Sequence, residues 1–265
     1  MNYNNYCFFQ QVVLEKRKQF EEKMRKQKNG EEICEDELKE KKTFLNLLLQ
    51  LTHEGTKMTD DELRHEVDTF TIAGSDTTAS TLSFCLVMLG MHPDLQEKIR
   101  EEVIDILGED RDVTPEDMSR LNLLERFIKE TLRIFPVGPI VLRMTDHDIN
   151  LGKHQIPAGC SLVLGLIRVH RDPRIWKDPL KFNPDRFLPE EVAKRHPYSY
   201  LPFSGGPRNC IGYKYAMMSM KTTLAMTLRK FVVMTEYKTI EEIRLRINIV
   251  LKPTDGYKVY VKLRE

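Results

Sequence analysis

From Met58 to Met91 the chain reads MTDDELRHEVDTFTIAGSDTTASTLSFCLVMLGM, with no proline and no strong helix breaker before Pro93. Thr59 and Glu62 stand as a capping-box pair at its start, which predicts one helix of about 30 residues. After Thr81 its apolar side chains fall on nearly every side instead of in one stripe, and such a helix has to be covered from several directions. A chain built this way folds around that helix, with the residues beyond Thr81 in the middle of a domain.

The neighbouring segments supply the cover. TFLNLLLQL predicts a short apolar helix, Pro93 opens PDLQEKIREEVIDILG with Gly108 as its stop, and Thr114-Pro115-Glu116 starts another short helix. LNLLERFIKETLRIFP carries a further helix to Pro136. Residues 137–167 change character, with prolines, glycines and β-branched runs that predict short strands and turns. Residues 171–210 are proline-rich and aperiodic, a long irregular segment of the kind that carries function in a compact domain. After Gly212 a helix with a Met, Ala and Leu face runs to about Phe231, and the chain closes as a hairpin about Pro253 to Gly256. The fold class is mainly α with small β elements. Residues 1–42 read as a charged helical segment and connector, and residues 43–265 as the body of one domain.

A length of 265 residues with 41% apolar and 31% charged side chains is ordinary for a globular protein. The five cysteines, Cys7, Cys34, Cys85, Cys160 and Cys210, are odd in number and contain no CxxC pair, which argues against a disulfide framework or a thiolate zinc site and for a reducing compartment. No apolar run approaches a membrane span, and YCFFQQVVL lacks the basic lead of a signal peptide. The net charge of +1 hides an asymmetry: residues 1–130 hold 18 basic against 28 acidic side chains, and residues 168–230 hold 13 against 5. The second window contains Cys210, so an acidic partner is favoured there; nothing else in the sequence supports nucleic acid as that partner.

FSGGPRNCIG, Phe203 to Gly212, is the most informative stretch. A structural cysteine sits among bulky apolar neighbours, whereas Gly205, Gly206 and Pro207 leave bare backbone around Cys210. Clearance from Gly205, Gly206 and Gly212, a helix N-terminus beginning near Ile211 and the cation Arg208 together suit a thiolate that ligates a metal in a flat, anionic ligand.

This stretch resembles the haem-binding signature of the cytochrome P-450 family, Phe-x-x-Gly-x-Arg-x-Cys-x-Gly, at Phe203, Gly206, Arg208, Cys210 and Gly212. The resemblance implies haem b as cofactor, Cys210 as the proximal thiolate of its iron, Arg208 on a propionate and Phe203 beside the sulfur. A thiolate pushes electron density through iron and favours cleavage of the dioxygen bond. AGSDTT, Ala73 to Thr78, resembles the family's oxygen-activation motif. Small residues and a threonine able to divert an i−4 carbonyl would open a groove, and Asp76 with Thr77 form an acid and alcohol pair for proton delivery. ETLR and FNPDRF resemble the segments that form a buried triad, which here would join Glu130, Arg133 and Arg186 and hold the cysteine loop in register. Arg143 resembles the residue on a second propionate, and residues 137–142 a substrate-lining segment. His170 and Arg171 fit the pattern in a turn-stabilising role, while Met217, Met218 and Met220 are expected in the core.

The likeness begins near residue 40 and matches the C-terminal half of a complete member; the membrane anchor, the Trp-x-x-x-Arg helix and the channel lid of the first half have no counterpart in it. KKTFLNLLLQLTHEGTKMTDDELRHEVDTF is similar to the animal branch that includes fatty-acid omega-hydroxylases. Ala73 stands where many of those enzymes have a glutamate that esterifies a haem methyl, so that link cannot form here. The resemblance implies a monooxygenase that inserts one atom of dioxygen into a lipophilic substrate such as a fatty acid, hormone or xenobiotic. It also implies a flavoprotein NADPH reductase docking near Lys177, Arg195 and Lys214, and a place on the cytosolic face of the endoplasmic reticulum membrane. Two alternatives belong to other classes: a truncated, non-catalytic haem-binding remnant, and a reductase-independent haem-thiolate peroxide isomerase or dehydratase, which would have no need of Asp76 and Thr77.

Overall fold

The structure, a computed structural model, describes residues 3–29, 43–55 and 58–264; the charged connector expected between Gly30 and Lys42 lies outside them. The chain divides into two compact units, residues 1–75 and 76–265.

In the first unit α1 (Tyr3–Lys28), α2 (Phe44–Glu54) and the opening turns of α3 (Asp60–Met91) enclose Val13, Leu49 and Leu63. The caps form as the sequence predicts. The Thr59 backbone N–H donates to Glu62 Oε2 at 2.8 Å while the Glu62 N–H donates to Thr59 Oγ1 at 3.2 Å, which satisfies two otherwise orphaned donors. Thr43 caps α2 by accepting from the Asn46 N–H at 3.3 Å. Arg17 ties α1 to the start of α3 through Asp60 and the Met58 carbonyl.

The second unit is built on the rest of α3. From Ser80 to Met91 no residue is exposed, and Phe84, Cys85, Val87, Met88 and Leu89 are wholly buried. Around them pack α4 (Pro93–Leu107), α5 (Asn122–Ile134) and α8 (Tyr213–Lys230), contributing Ile99 and Val103, Leu124, Phe127 and Ile128, and Leu224 and Leu228. Phe84 stacks on Phe135 with ring centroids 4.4 Å apart. Pro93 occupies the first turn of α4, and Gly108 closes it at φ 67°. By length and composition α3 is the one described helix that could cross a membrane, which amends the expectation that no stretch approaches a span. Its most apolar part is the part enclosed by other helices, so burial in protein accounts for that composition.

The β elements are small antiparallel pairs. β1 (Ile140–Met144) pairs with β4 (Ser161–Gly165), and β2 (Ile149–Leu151) with β3 (His154–Ile156). A short helix, α6 (Leu166–His170), follows β4, and α7 (Pro189–Ala193) interrupts the irregular segment beyond it. At the C-terminus the expected hairpin about Pro253 to Gly256 is not what forms. β6 (Leu245–Asn248) turns through Ile249, at φ 35°, into β7 (Val250–Pro253), and β8 (Val259–Leu263) leaves to pair with β5 (Phe231–Thr235). Thr254 and Asp255 do form a turn, but the strands on either side of it take other partners. Leu251 and Val233 both enter the main core, and the Leu251 N–H donates to the Val137 carbonyl. Gly90 permits the approach of β5 to α3: a Cβ there would lie 2.7 Å from the backbone of Met234 and Thr235.

Candidate cofactor site around Cys210

Cys210 lies on the surface of an irregular loop just before α8, whose N-cap is Gly212. The helix therefore starts at Tyr213, directly after Gly212 as the sequence predicts, and not at Ile211 beside the cysteine. The loop is held by its own backbone: the Cys210 N–H donates to the Phe203 carbonyl at 2.9 Å, and the Asn209 N–H to the Gly206 carbonyl at 3.1 Å. Gly206 adopts φ 79°, a left-handed conformation that a side chain disfavours, and a Cβ there would meet nothing within 4 Å. The space over the loop is thus open. Gly205 has a different task from the expected clearance, since a Cβ at that position would press on Leu201 and Tyr198 at 3.2 and 3.3 Å.

Behind the loop stands the charged cluster that the sequence motifs single out. Glu130 and Arg133 are completely buried on α5, with Arg133 Nε and Nη2 donating to the carboxylate at 2.7 and 2.8 Å. Arg186 lies 3.3 Å from Glu130 Oε1, and the Asn183 N–H donates to the same oxygen at 2.9 Å. The structure therefore brings all three predicted residues together. Arg186 also donates to the carbonyls of Lys177 and Asp178, and Arg133 Nη1 to that of His170 at 2.9 Å. His170 is buried, and its Nε2 accepts the Leu201 N–H at 2.8 Å. Helix α5 is in this way wired to the segment that leads into the cysteine loop. Burial, reinforced by the charge of Arg133, lowers the His170 pKa to about 4, so the imidazole is neutral and free to accept.

The sequence reading missed the role of Trp176. It is buried between two guanidinium groups, Arg133 at 5.0 Å and Arg195 at 4.5 Å from its ring centroid. Arg195 also donates to the Arg186 carbonyl at 2.6 Å. This corrects its assignment to a docking face: Arg195 is part of the clamp, while Lys177 and Lys214 remain exposed. The signal was present in the sequence as a lone tryptophan inside an arginine-rich irregular segment. Nothing local says which arginines stack on it.

Two further guanidinium groups belong to the loop surface. Arg208 is exposed, and Arg143 extends from β1 so that its Nη2 lies 3.5 Å from Ser204 Oγ, at the loop's edge. Ile211, next to the cysteine in the chain, is an exposed apolar side chain at 82%, whereas Leu142 and Met144, also exposed, alternate with Arg143 along β1 and leave it by the other face. Among the described residues no three His, Cys, Asp or Glu side chains converge as a metal site. A metal held by the Cys210 sulfur must then bring most of its own ligands, as iron in a macrocycle does, and bare backbone at Gly206 together with the guanidinium groups of Arg143 and Arg208 suits a flat ligand bearing carboxylates. Haem fits this donor set.

The remaining predicted residues lie elsewhere on the framework. Asp76 and Thr77 are on α3; the Asp76 carboxylate is engaged by Lys252 Nζ of β7 at 2.7 Å, and the Thr77 carbonyl accepts from Thr81 Oγ1 at 3.0 Å. Phe203 packs against the main core with its ring 6.1 Å from that of Tyr213. Of the three methionines only Met220 is in the core proper; Met217 is half-buried, and Met218 is 40% exposed, which corrects the expectation for it. Met217 and Met218 line a cleft of about 490 Å³ with Met118, Phe203, Tyr213 and Lys214.

Comparison with known proteins accords with this geometry. The family model described as Cytochrome P-450 matches residues 4–261. Cytochrome P-450 4c3 of Drosophila melanogaster is 41% identical over 230 residues, covering 86% of this chain and 43% of its own. Cytochrome P-450 4V2 of Rattus norvegicus is 43% identical over 226 residues, covering 84% and 42%. Cytochrome P-450 4d2 of Drosophila melanogaster aligns over 97% of this chain and 51% of itself. The chain thus spans about half the length of the curated relatives it matches. The crystal structure of the haem domain of cytochrome P-450DA superposes with a TM-score of 0.72 at 31% identity, covering 78% of this chain and 46% of that one. A family model spanning nearly all of the sequence, animal relatives at about two-fifths identity and a shared haem-domain fold lead to one conclusion: the chain belongs to the cytochrome P-450 family.

Proposed function

We propose that residues 43–265 form the haem-thiolate part of a monooxygenase that inserts one atom of dioxygen into a lipophilic substrate, the second atom leaving as water. A flavoprotein NADPH reductase supplies the two electrons. The observation that carries this reading is the presentation of Cys210: an exposed sulfur on a backbone-locked loop, with open space at Gly206, Arg208 exposed on the loop and Arg143 at its Ser204 edge.

In this reading Cys210 would hold the haem iron through its sulfur, Arg143 and Arg208 would pair with the propionates, and Phe203, Gly206 and Gly212 shape the loop that carries the cysteine. Haem, when bound, supplies the iron at which dioxygen is reduced. Gly212, two residues after Cys210, is the N-cap of α8, so the helix begins directly beyond the loop. Glu130, Arg133 and Arg186 hold the loop's approach segment, so their work is positional. Asp76 and Thr77 on α3 move protons during dioxygen reduction, which favours oxygen chemistry over peroxide rearrangement.

Lys177 and Lys214, exposed within the basic stretch 168–230, offer an acidic reductase its contacts. Fatty acids are the substrate class that the animal branch suggests, with the whole protein on the cytosolic face of the endoplasmic reticulum membrane. The test is Cys210→Ser in a haem-loaded protein that includes residues 1–265. A hydroxyl supplies neither the charge nor the electron donation of a thiolate, so the reduced carbon monoxide spectrum should lose its thiolate band. Retention of that band in the variant would overturn the assignment.

A further inference from the structure

The cleft of about 490 Å³ beside Phe203 is built from two helix faces. Lys214, Met217, Met218 and Lys221 recur every three or four residues along α8, and Glu125 and Lys129 stand one turn apart on α5, so each set shares one side of its helix. Met118, on the short helical turn Pro115–Ser119, and Phe203 complete the wall. A volume of this size falls within the range of about 300 to 1,000 Å³ that small-molecule sites occupy. A second hollow of about 280 Å³ adjoins it, sharing Pro115, Met118 and Met218.

The three methionines are flexible and polarisable, so they can close on an apolar chain of no fixed shape. The charged groups in the lining do not balance. Lys129 Nζ lies 2.6 Å from Glu125 Oε1, and Lys221 Nζ pairs with Glu125 Oε2, so two ammonium groups share one carboxylate. The Lys221 side chain is only 5% exposed, and besides Glu125 its one acceptor among the described residues is the Met118 carbonyl at 2.6 Å. An ammonium has three N–H groups, and one is left over. A buried cation with a spare donor, at the wall of an apolar cleft, is stabilised by a second anion. Lys214, exposed at the same cleft, adds a further positive charge.

We propose that this cleft binds a lipophilic carboxylate, a fatty-acid-like anion whose head accepts a hydrogen bond from Lys221 while its chain lies over Met118, Met217 and Met218. One surplus charge and one spare buried donor suit a carboxylate; a phosphate would bring a second charge and more acceptor oxygens than the cluster meets. Cys210, Arg143 and Arg208 are not among the residues that line the cleft, so the site is separate from the surface assigned to haem. Phe203 belongs to both: it walls the cleft, and its carbonyl accepts the Cys210 N–H at 2.9 Å. Binding here needs no turnover, so the proposal stands apart from the monooxygenase reading.

The experiment photolabels a haem-loaded protein that includes residues 1–265 with dodecanoic acid bearing a terminal diazirine, and in parallel with the matching alcohol. Labelled peptides are mapped by mass spectrometry, which separates this cleft from any substrate pocket that takes the same acid. The acid should label residues 115–119 and 213–221 about tenfold more than the alcohol does, because only the acid gains a charged hydrogen bond in a buried place. Lys221→Met leaves Glu125 paired with Lys129 and should lower acid labelling there to the level of the alcohol. Met218→Trp keeps every charge, fills the cleft from an exposed position and should abolish the label from both probes. Equal labelling by acid and alcohol, wild-type labelling in either variant, or no label in these two segments would overturn the proposal. A preparation that labels as described but lacks a thiolate spectrum would overturn the monooxygenase reading and leave this site standing.

Discussion

Replacing Glu130 with alanine should cost more stability than any other single change at the clamp. The carboxylate has no solvent exposure and serves four partners: two N–H groups of Arg133 at 2.7 and 2.8 Å, the Asn183 N–H at 2.9 Å and the Arg186 guanidinium at 3.3 Å. Alanine removes all four and leaves Arg133, itself wholly buried, with the His170 carbonyl and the Trp176 ring as its remaining contacts. An unpaired buried charge of this kind costs about 3 to 5 kcal/mol, against a total stability of about 5 to 15 kcal/mol for an ordinary domain. With a urea slope of about 2 kcal/mol per molar, the unfolding midpoint should fall by about 2 M. The assay is urea unfolding followed by fluorescence of Trp176, the only tryptophan in the chain and a direct neighbour of Arg133. Haem per polypeptide after purification is read alongside. Glu130→Gln, which keeps an acceptor for Asn183 but loses the charge, should fall between wild type and alanine. A midpoint within about 0.5 M of wild type and full haem occupancy in Glu130→Ala would refute the reasoning, because the four contacts would then be worth no more than an exposed ion pair.

His170 provides a pH test. Burial, the charge of Arg133 and then that of Arg171 depress its pKa from 6.5 to about 4, so the unfolded chain binds the proton first. Its stabilising contribution is intact above pH 6.5 and is lost as pH falls towards and through 4, up to about 3 kcal/mol. His170→Gln, which can still accept the Leu201 N–H, should flatten the fall of the urea midpoint over that window; an unchanged slope would show that His170 is not its source. Gly90→Ala should destabilise the second unit by about 1 to 3 kcal/mol, because its Cβ would sit 2.7 Å from β5 backbone that cannot rotate away. A thermal midpoint equal to wild type would mean that β5 moves aside freely. Thr77→Ala should leave haem binding intact and shift reducing equivalents from product to peroxide, measured as peroxide released per NADPH; unchanged coupling would remove Thr77 from the proton path.

Much of this protein is readable from local chemistry. The Thr59–Glu62 capping box, Pro93 and Gly108 at the ends of α4, and the apolar run after Thr81 are each decided by groups within one or two turns, and each forms as expected. The cysteine loop is legible for the same reason, since ten consecutive residues carry its conformation and its signature. What the sequence alone could not decide is every relation set by burial at long range. The turn at Thr254 to Gly256 is visible, but β8 passes over its sequence neighbour β7 to pair with β5, whose Val233 lies in the main core, and nothing local to β8 names that partner. Arg195 is one basic residue in a basic stretch until Trp176 is buried beside it, and then its half-buried guanidinium stacks on that ring. Lys252 likewise has no local mark. The packing of β7 places it opposite Asp76, and Coulomb attraction between two groups 176 residues apart acts only once the fold has brought them within a few ångströms.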